Sequence, residues 1–206
     1  VRNQCVTKHF LASKNSLEII AIIDGSHKQI FLFLQYQGKW WEVARYPNTI
    51  EKHAKCGWAE YTPEGKTVKV KNGHVVAGKE YFNEGTAYPV GDSKIGKIYH
   101  KLTYGGVTKE NVLNILATDN KNYMIGYFCK YDEEKKGHQD FVWILSRSKV
   151  LTGDVKAAVE NYLASSSVVD SQKLDKESFQ RVNYIIIIKI ETFYMNFIYQ
   201  HFIFYF

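Results

Sequence analysis

Proline and cysteine are both scarce in this chain, three of each among 206 residues. Cys5, Cys56 and Cys129 stand too far apart for any zinc-ligand spacing, and their odd number leaves at least one thiol without a partner inside the chain. Free core thiols suit a reducing compartment and disulfide halves suit a secreted protein; the count leaves both open. No Asn-x-Ser/Thr sequon occurs, so N-glycosylation is not expected, and no Gly-x-Ser-x-Gly elbow marks serine hydrolase chemistry. The seven histidines show no paired ligand spacing, His100 reads as a satisfied polar residue on a strand, and Glu133-Glu134 reads as a solvated loop. The formal charge of +6 is spread through mixed segments such as Asp132–Lys136, so no basic cluster outlines a nucleic-acid footprint. Gly91–Lys97 has the spacing of a phosphate loop, but Ile98 stands where Ser or Thr is needed and an alternating segment follows instead of a helix. The apolar run Ser16–Ile23 is broken by Glu18 and closed by Asp24. It is too short to span a bilayer and lacks a signal cleavage site, so the signal is absent from this chain or the protein is not secreted.

Aromatic residues, by contrast, make up 15% of the chain. Residues 1–35 carry no clean periodicity. From Gly38 onward short alternating runs recur with turn residues between them. The pattern predicts strands over 40–46, 56–62, 67–71, 79–88, 96–104, 110–118, 123–131 and 140–146. Turns are expected at Pro63-Glu64-Gly65, Pro89–Asp92, Gly105-Gly106, Asp119–Asn122 and Asp132–His138, and Asn72-Gly73 signals a tight turn or a bulge. Eight strands with short connections predict an all-β fold, an eight-stranded antiparallel up-and-down barrel, although a two-sheet sandwich would share the periodicity. Arg147 follows the last apolar run, and a guanidinium stacks well on an indole, so Trp40 and Arg147 are expected to meet and close one end. Residues 153–163 place Val155, Ala158, Val159 and Tyr162 at helical spacing, which predicts one C-terminal helix packed outside the barrel. The tail from Asn183 is rich in Ile, Phe, Tyr and Asn and interrupted by Lys189, Glu191, Gln200 and His201. It reads as a gene-model artefact, with a membrane anchor as the alternative.

Three separated marks fall in order: Gly38-x-Trp40, Thr118-Asp119-x-x-x-Tyr123, and Arg147 after the final strand. Together they resemble the signature regions of the lipocalins. The resemblance narrows to the bilin-binding lipocalins of insects through Gly38–Ala44, Lys55–Gly65 and Gly85–Lys97, and runs to about Leu174. It implies a lipocalin unit over 36–176 flanked by non-matching segments 1–35 and 177–206. It also implies a secreted, non-catalytic carrier whose barrel mouth holds biliverdin, the IXγ isomer, non-covalently. Carried over by position, the implied ligand set is Asn48, Glu51, Asn72, His74, Leu102, Tyr104, Val107, Lys109, Asn111, Phe128, Lys130, Gln139, Phe141 and Trp143. Lys109, Lys130 and His74 are the expected partners of propionates or pyrrole edges, and the apolar members would pack on the rings. Gly73 stands where the resemblance has a bulky aromatic, Asn83 where it has an apolar residue, and Phe128 where it has a tyrosine; these departures imply a looser pocket. Two family disulfides would tie the ends to the barrel. Cys129 matches one partner, Cys5 lies too far upstream to match by position, and Cys56 lacks its expected partner in the tail. The alternatives are a carrier of another small lipophile (fatty acid, sterol or retinoid), a thiol-dependent isomerase using Cys56, and a membrane-tethered carrier resting on the tail. No nucleic-acid partner, metal or catalytic residue is expected.

Overall fold

The computed structural model describes residues 36–49, 51–64, 67–90 and 96–175. The expectations for 1–35 and 177–206, for Cys5, and for the turns at Gly65 and Gly91-Asp92 lie outside these residues. Eight strands follow one another: β1 Gly38–Arg45, β2 Lys55–Glu64, β3 Thr67–Val76, β4 Lys79–Pro89, β5 Lys97–Tyr104, β6 Val107–Thr118, β7 Tyr123–Asp132 and β8 Gly137–Ser146. Each pairs antiparallel with the next, and β8 returns to pair with β1, which closes the barrel. Closure excludes the sandwich and leaves no sheet edge.

One expected turn is wrong. Asn72-Gly73 lies inside β3, paired with Asn83 and Phe82 of β4. The reversal comes later, at Ala77-Gly78, both with positive φ between the paired Val76 and Lys79. Glycine at 73 answers a packing demand instead. A Cβ there would lie 2.3 Å from the Trp58 indole, which covers the outer face of the sheet at this point. Gly73 therefore opens no space in the interior, contrary to the looser pocket expected from it.

Two apolar layers follow from the period of two along each strand. Trp40, Ala59, Tyr61, Val68, Val70, Ala87, Ile98, Leu113, Ile115, Met124 and Leu145 fill the inside of the barrel. Ile125, Tyr127, Val142 and Ile144 face outward and pack under α1, Gly153–Ser165, whose Val159 is fully buried among them. After α1 a short 3₁₀ turn, Ser171–Lys173, leads the chain back to β1. There the Tyr46 hydroxyl accepts from the Asp170 amide at 2.6 Å, and the Asp175 amide donates to the Arg45 carbonyl at 2.8 Å.

One end of the barrel is sealed. The Arg147 guanidinium lies 3.7 Å from the centre of the Trp40 ring and donates through Nη1 to the Lys39 carbonyl at 3.0 Å, as the sequence predicts for this pair. The Trp40 indole N–H donates to the Tyr36 carbonyl at 2.7 Å. The Asp119 carboxylate accepts from the amides of Lys121, Asn122 and Tyr123, and Thr118 Oγ1 donates to the Tyr123 carbonyl at 2.6 Å. The three marked regions of the sequence thus converge on one floor.

Candidate ligand-binding site

With that floor packed, the opposite end is the one through which a ligand can enter. It is bordered by the β1–β2, β3–β4, β5–β6 and β7–β8 connections. Directly opposed residues of antiparallel strands share a face. The register therefore decides which expected site residues meet. Phe128 opposes Phe141, Lys130 opposes Gln139, Leu102 opposes Lys109, Tyr104 opposes Val107 and His100 opposes Asn111. On the far wall Asn72 opposes Asn83 and His74 opposes Tyr81. All lie in the parity of the inward Ala87, Ile98, Leu113 and Leu145, so the strand members of the expected set share the interior face.

These side chains are graded by depth. Phe141 is fully buried, while Leu102, Phe128 and Trp143 are half-buried against the inner core. The three aromatics form a row: Phe128 and Phe141 have ring centres 5.6 Å apart, and Phe141 and Trp143 stack at 5.8 Å with planes 14° apart. Tyr104 and Val107 stand on the rim, more than half exposed. Lys109 and Lys130 are exposed, and the Lys130 ammonium lies 5.4 Å from the Phe141 ring centre. Asn48 and Glu51 come from the β1–β2 connection. Glu51 Oε2 accepts from Asn48 Nδ2 at 2.7 Å and from the Trp143 indole N–H at 3.1 Å, which pins that connection to the aromatic row.

The interior also contains a charged group that the sequence reading passed over. Glu42 and Arg45 are buried and joined by a salt bridge; Arg45 Nη2 also donates to the carbonyls of Ala54 and Glu51, at 2.7 and 3.1 Å. A Cβ on Gly57 would lie 2.7 Å from the Glu42 carboxylate, so this inward glycine makes room for the pair. Burial, reinforced by the Glu51 carboxylate, pushes the Glu42 carboxyl up to about 7 despite Arg45. Burial opposes the charge of Arg45, yet the Glu42 and Glu51 carboxylates outweigh it and hold its pKa above the usual value. Two positions after the inward Trp40, Glu42 has interior parity, and that signal was available in the sequence.

His100, also buried, meets the Tyr61 hydroxyl at 3.2 Å; burial pulls it down to about 4 although Asn111 hydrogen-bonds to it. It is a satisfied polar residue, as expected. His74 is half-buried, stacks on Tyr81 at 6.2 Å, and is shifted down, first by burial.

Outside the calyx, a cleft of about 530 Å³ lies between Tyr46-Pro47, the β7–β8 hairpin and Gln172-Lys173; of the expected ligand set it includes Gln139. The Cys56 thiol has Lys149 and Lys55 as its charged neighbours, and burial pushes its pKa up. That leaves less thiolate, the nucleophilic form. Cys129 is disulfide-bonded, and Cys56 is the free cysteine among the described residues. No cluster of three or more metal-binding side chains occurs among them.

A closed eight-stranded meander with a sealed floor and an outer helix defines the calyx class of small-molecule-binding barrels. The chain belongs to the lipocalin / cytosolic fatty-acid binding protein family, whose model matches residues 37–183. It is 78% identical over 149 residues to the bilin-binding protein of Pieris brassicae, covering 72% of this chain and 79% of that protein. It is 38% identical to insecticyanin-B of Manduca sexta over 148 residues, covering 70% and 72%. The solved structure of insecticyanin from the tobacco hornworm Manduca sexta superposes with a TM-score of 0.64 at 37% identity, covering 70% of this chain and 78% of that one.

Proposed function

We propose that this chain is a carrier that takes a bilin into the open end of its barrel and releases it chemically unchanged. The observation that carries the reading is the inward row Phe128–Phe141–Trp143 with the Lys130 ammonium 5.4 Å from the Phe141 ring centre. A flat conjugated ligand gains from stacked aromatic walls, and its carboxylates gain from cations placed where water still reaches them. Leu102, Tyr104, Val107 and Asn111 would line the neighbouring wall. Lys109 and Lys130 would meet the propionates, while Gln139, Asn72, His74, Asn48 and Glu51 would order the polar edge. The name of the Pieris brassicae relative, bilin-binding protein, supports a bilin over a colourless lipophile. Within this reading the ligand is biliverdin of the IXγ type, the functional unit is 36–176, and the protein works outside the cell.

Biliverdin titration of the full chain tests it, followed by visible absorbance and tryptophan quenching. Saturation at one equivalent with a changed visible band is the expected result. A folded chain with an unchanged spectrum would overturn the bilin and favour a fatty acid, sterol or retinoid.

A further inference from the structure

We infer that Asn83 and Asn72 form a two-acceptor edge inside the calyx that recognises the N–H groups of a linear tetrapyrrole, with Asn83 a specificity-determining residue. This rests on the carrier reading above.

The two residues are direct partners in the β3–β4 register and face inward. Both Oδ1 atoms are buried, and neither accepts a hydrogen bond among the described residues. Below them on the same strands the interior is apolar, with Val70 opposite Gly85 and Val68 opposite Ala87. Above them His74 opposes Tyr81 at the mouth. The asparagines therefore stand where the dry interior gives way to the polar entrance. A buried amide oxygen with no donor is destabilising, and an apolar side chain would avoid the penalty.

An amide oxygen accepts and cannot donate. Opposed side chains start from Cβ atoms about 5 Å apart, a spacing that lets two neighbouring N–H groups on one rigid conjugated edge be met together. A hydrocarbon chain supplies no donor for the two oxygens. The cationic lysines sit on β6 and β7, across the barrel from β3 and β4. The ligand's carboxylates and its N–H edge are thereby directed to different walls, which fixes its orientation.

The test is Asn83→Leu in the full chain, with biliverdin as the probe. Its Kd should rise about tenfold, the worth of one lost hydrogen bond to a buried donor. The ligand-free variant should melt at or above the wild-type temperature, because the unsatisfied amide is gone. A folded N83L that binds biliverdin as tightly as wild type overturns the inference; should N83L fail to fold, Asn83→Val is read in the same way. A folded wild-type chain that binds no biliverdin overturns the carrier reading itself, and this inference with it, before any variant is compared.

Discussion

Glu42 and His100 are both sealed inside the barrel, and their titrations should pull stability in opposite directions over the same pH range. Burial, with the Glu51 carboxylate adding to it, lifts Glu42 from 4.5 to about 7, while burial lowers His100 from 6.5 to about 4. For Glu42 the folded state keeps a proton that the unfolded chain has released. Its contribution is complete below pH 4.5 and is lost as pH rises toward 7. For His100 the unfolded chain takes up a proton that the folded state refuses. Its contribution is complete above pH 6.5 and is lost as pH falls toward 4. Each swing is worth about 3 kcal/mol, with a slope of about 1.4 kcal/mol per pH unit, so between pH 4.5 and 6.5 the two nearly cancel. Glu42→Gln removes one slope and exposes the other. Relative to wild type, its stability should climb by about 1 kcal/mol per pH unit across that window, and His100→Gln should do the reverse. Urea unfolding at several pH values, followed by tryptophan fluorescence, measures both. An E42Q curve that runs parallel to wild type would mean that Glu42 ionises as freely in the barrel as in the unfolded chain, and the reasoning would be refuted.

Two further variants address the floor. Arg147→Ala removes the stack on Trp40 and the bond to the Lys39 carbonyl. Chemical unfolding should show a loss of about 2 kcal/mol, with Arg147→Lys recovering only part of it; a loss below about 0.5 kcal/mol would deny the contact its closing role. Asp119→Ala strips the acceptor from three backbone amides of the β6–β7 turn. Burial acts against the Asp119 charge, but these hydrogen bonds prevail and hold its pKa below the usual value. The variant should lose about 1 kcal/mol at neutral pH, and equal unfolding midpoints for variant and wild type would contradict that assignment.

The barrel was legible in the sequence because a half-buried strand has no choice about its period. Alternation marked all eight strands, and the paired glycines at 105 and 106 stopped β5 where the register turns, with φ of 55° and 80°. The Trp40–Arg147 contact was legible too, since Trp40 lies on β1 and Arg147 follows β8, strands that a closed meander brings side by side. Asn72-Gly73 misled because a turn dipeptide and a glycine yielding to an indole across the strand look alike in one dimension; only the position of Trp58 separates them. The same limit hid the pairing of Glu42 with Arg45 beside Glu51, though not the inward parity of Glu42, and it hid the opposed asparagine oxygens. Local pattern determined the strands, their order and the face on which each side chain lies. Tertiary closure alone decided which of those faces meet and which polar atoms lose their water. Desolvation and pairing depend on neighbours far apart along the chain, and that distance is what a sequence read locally does not contain.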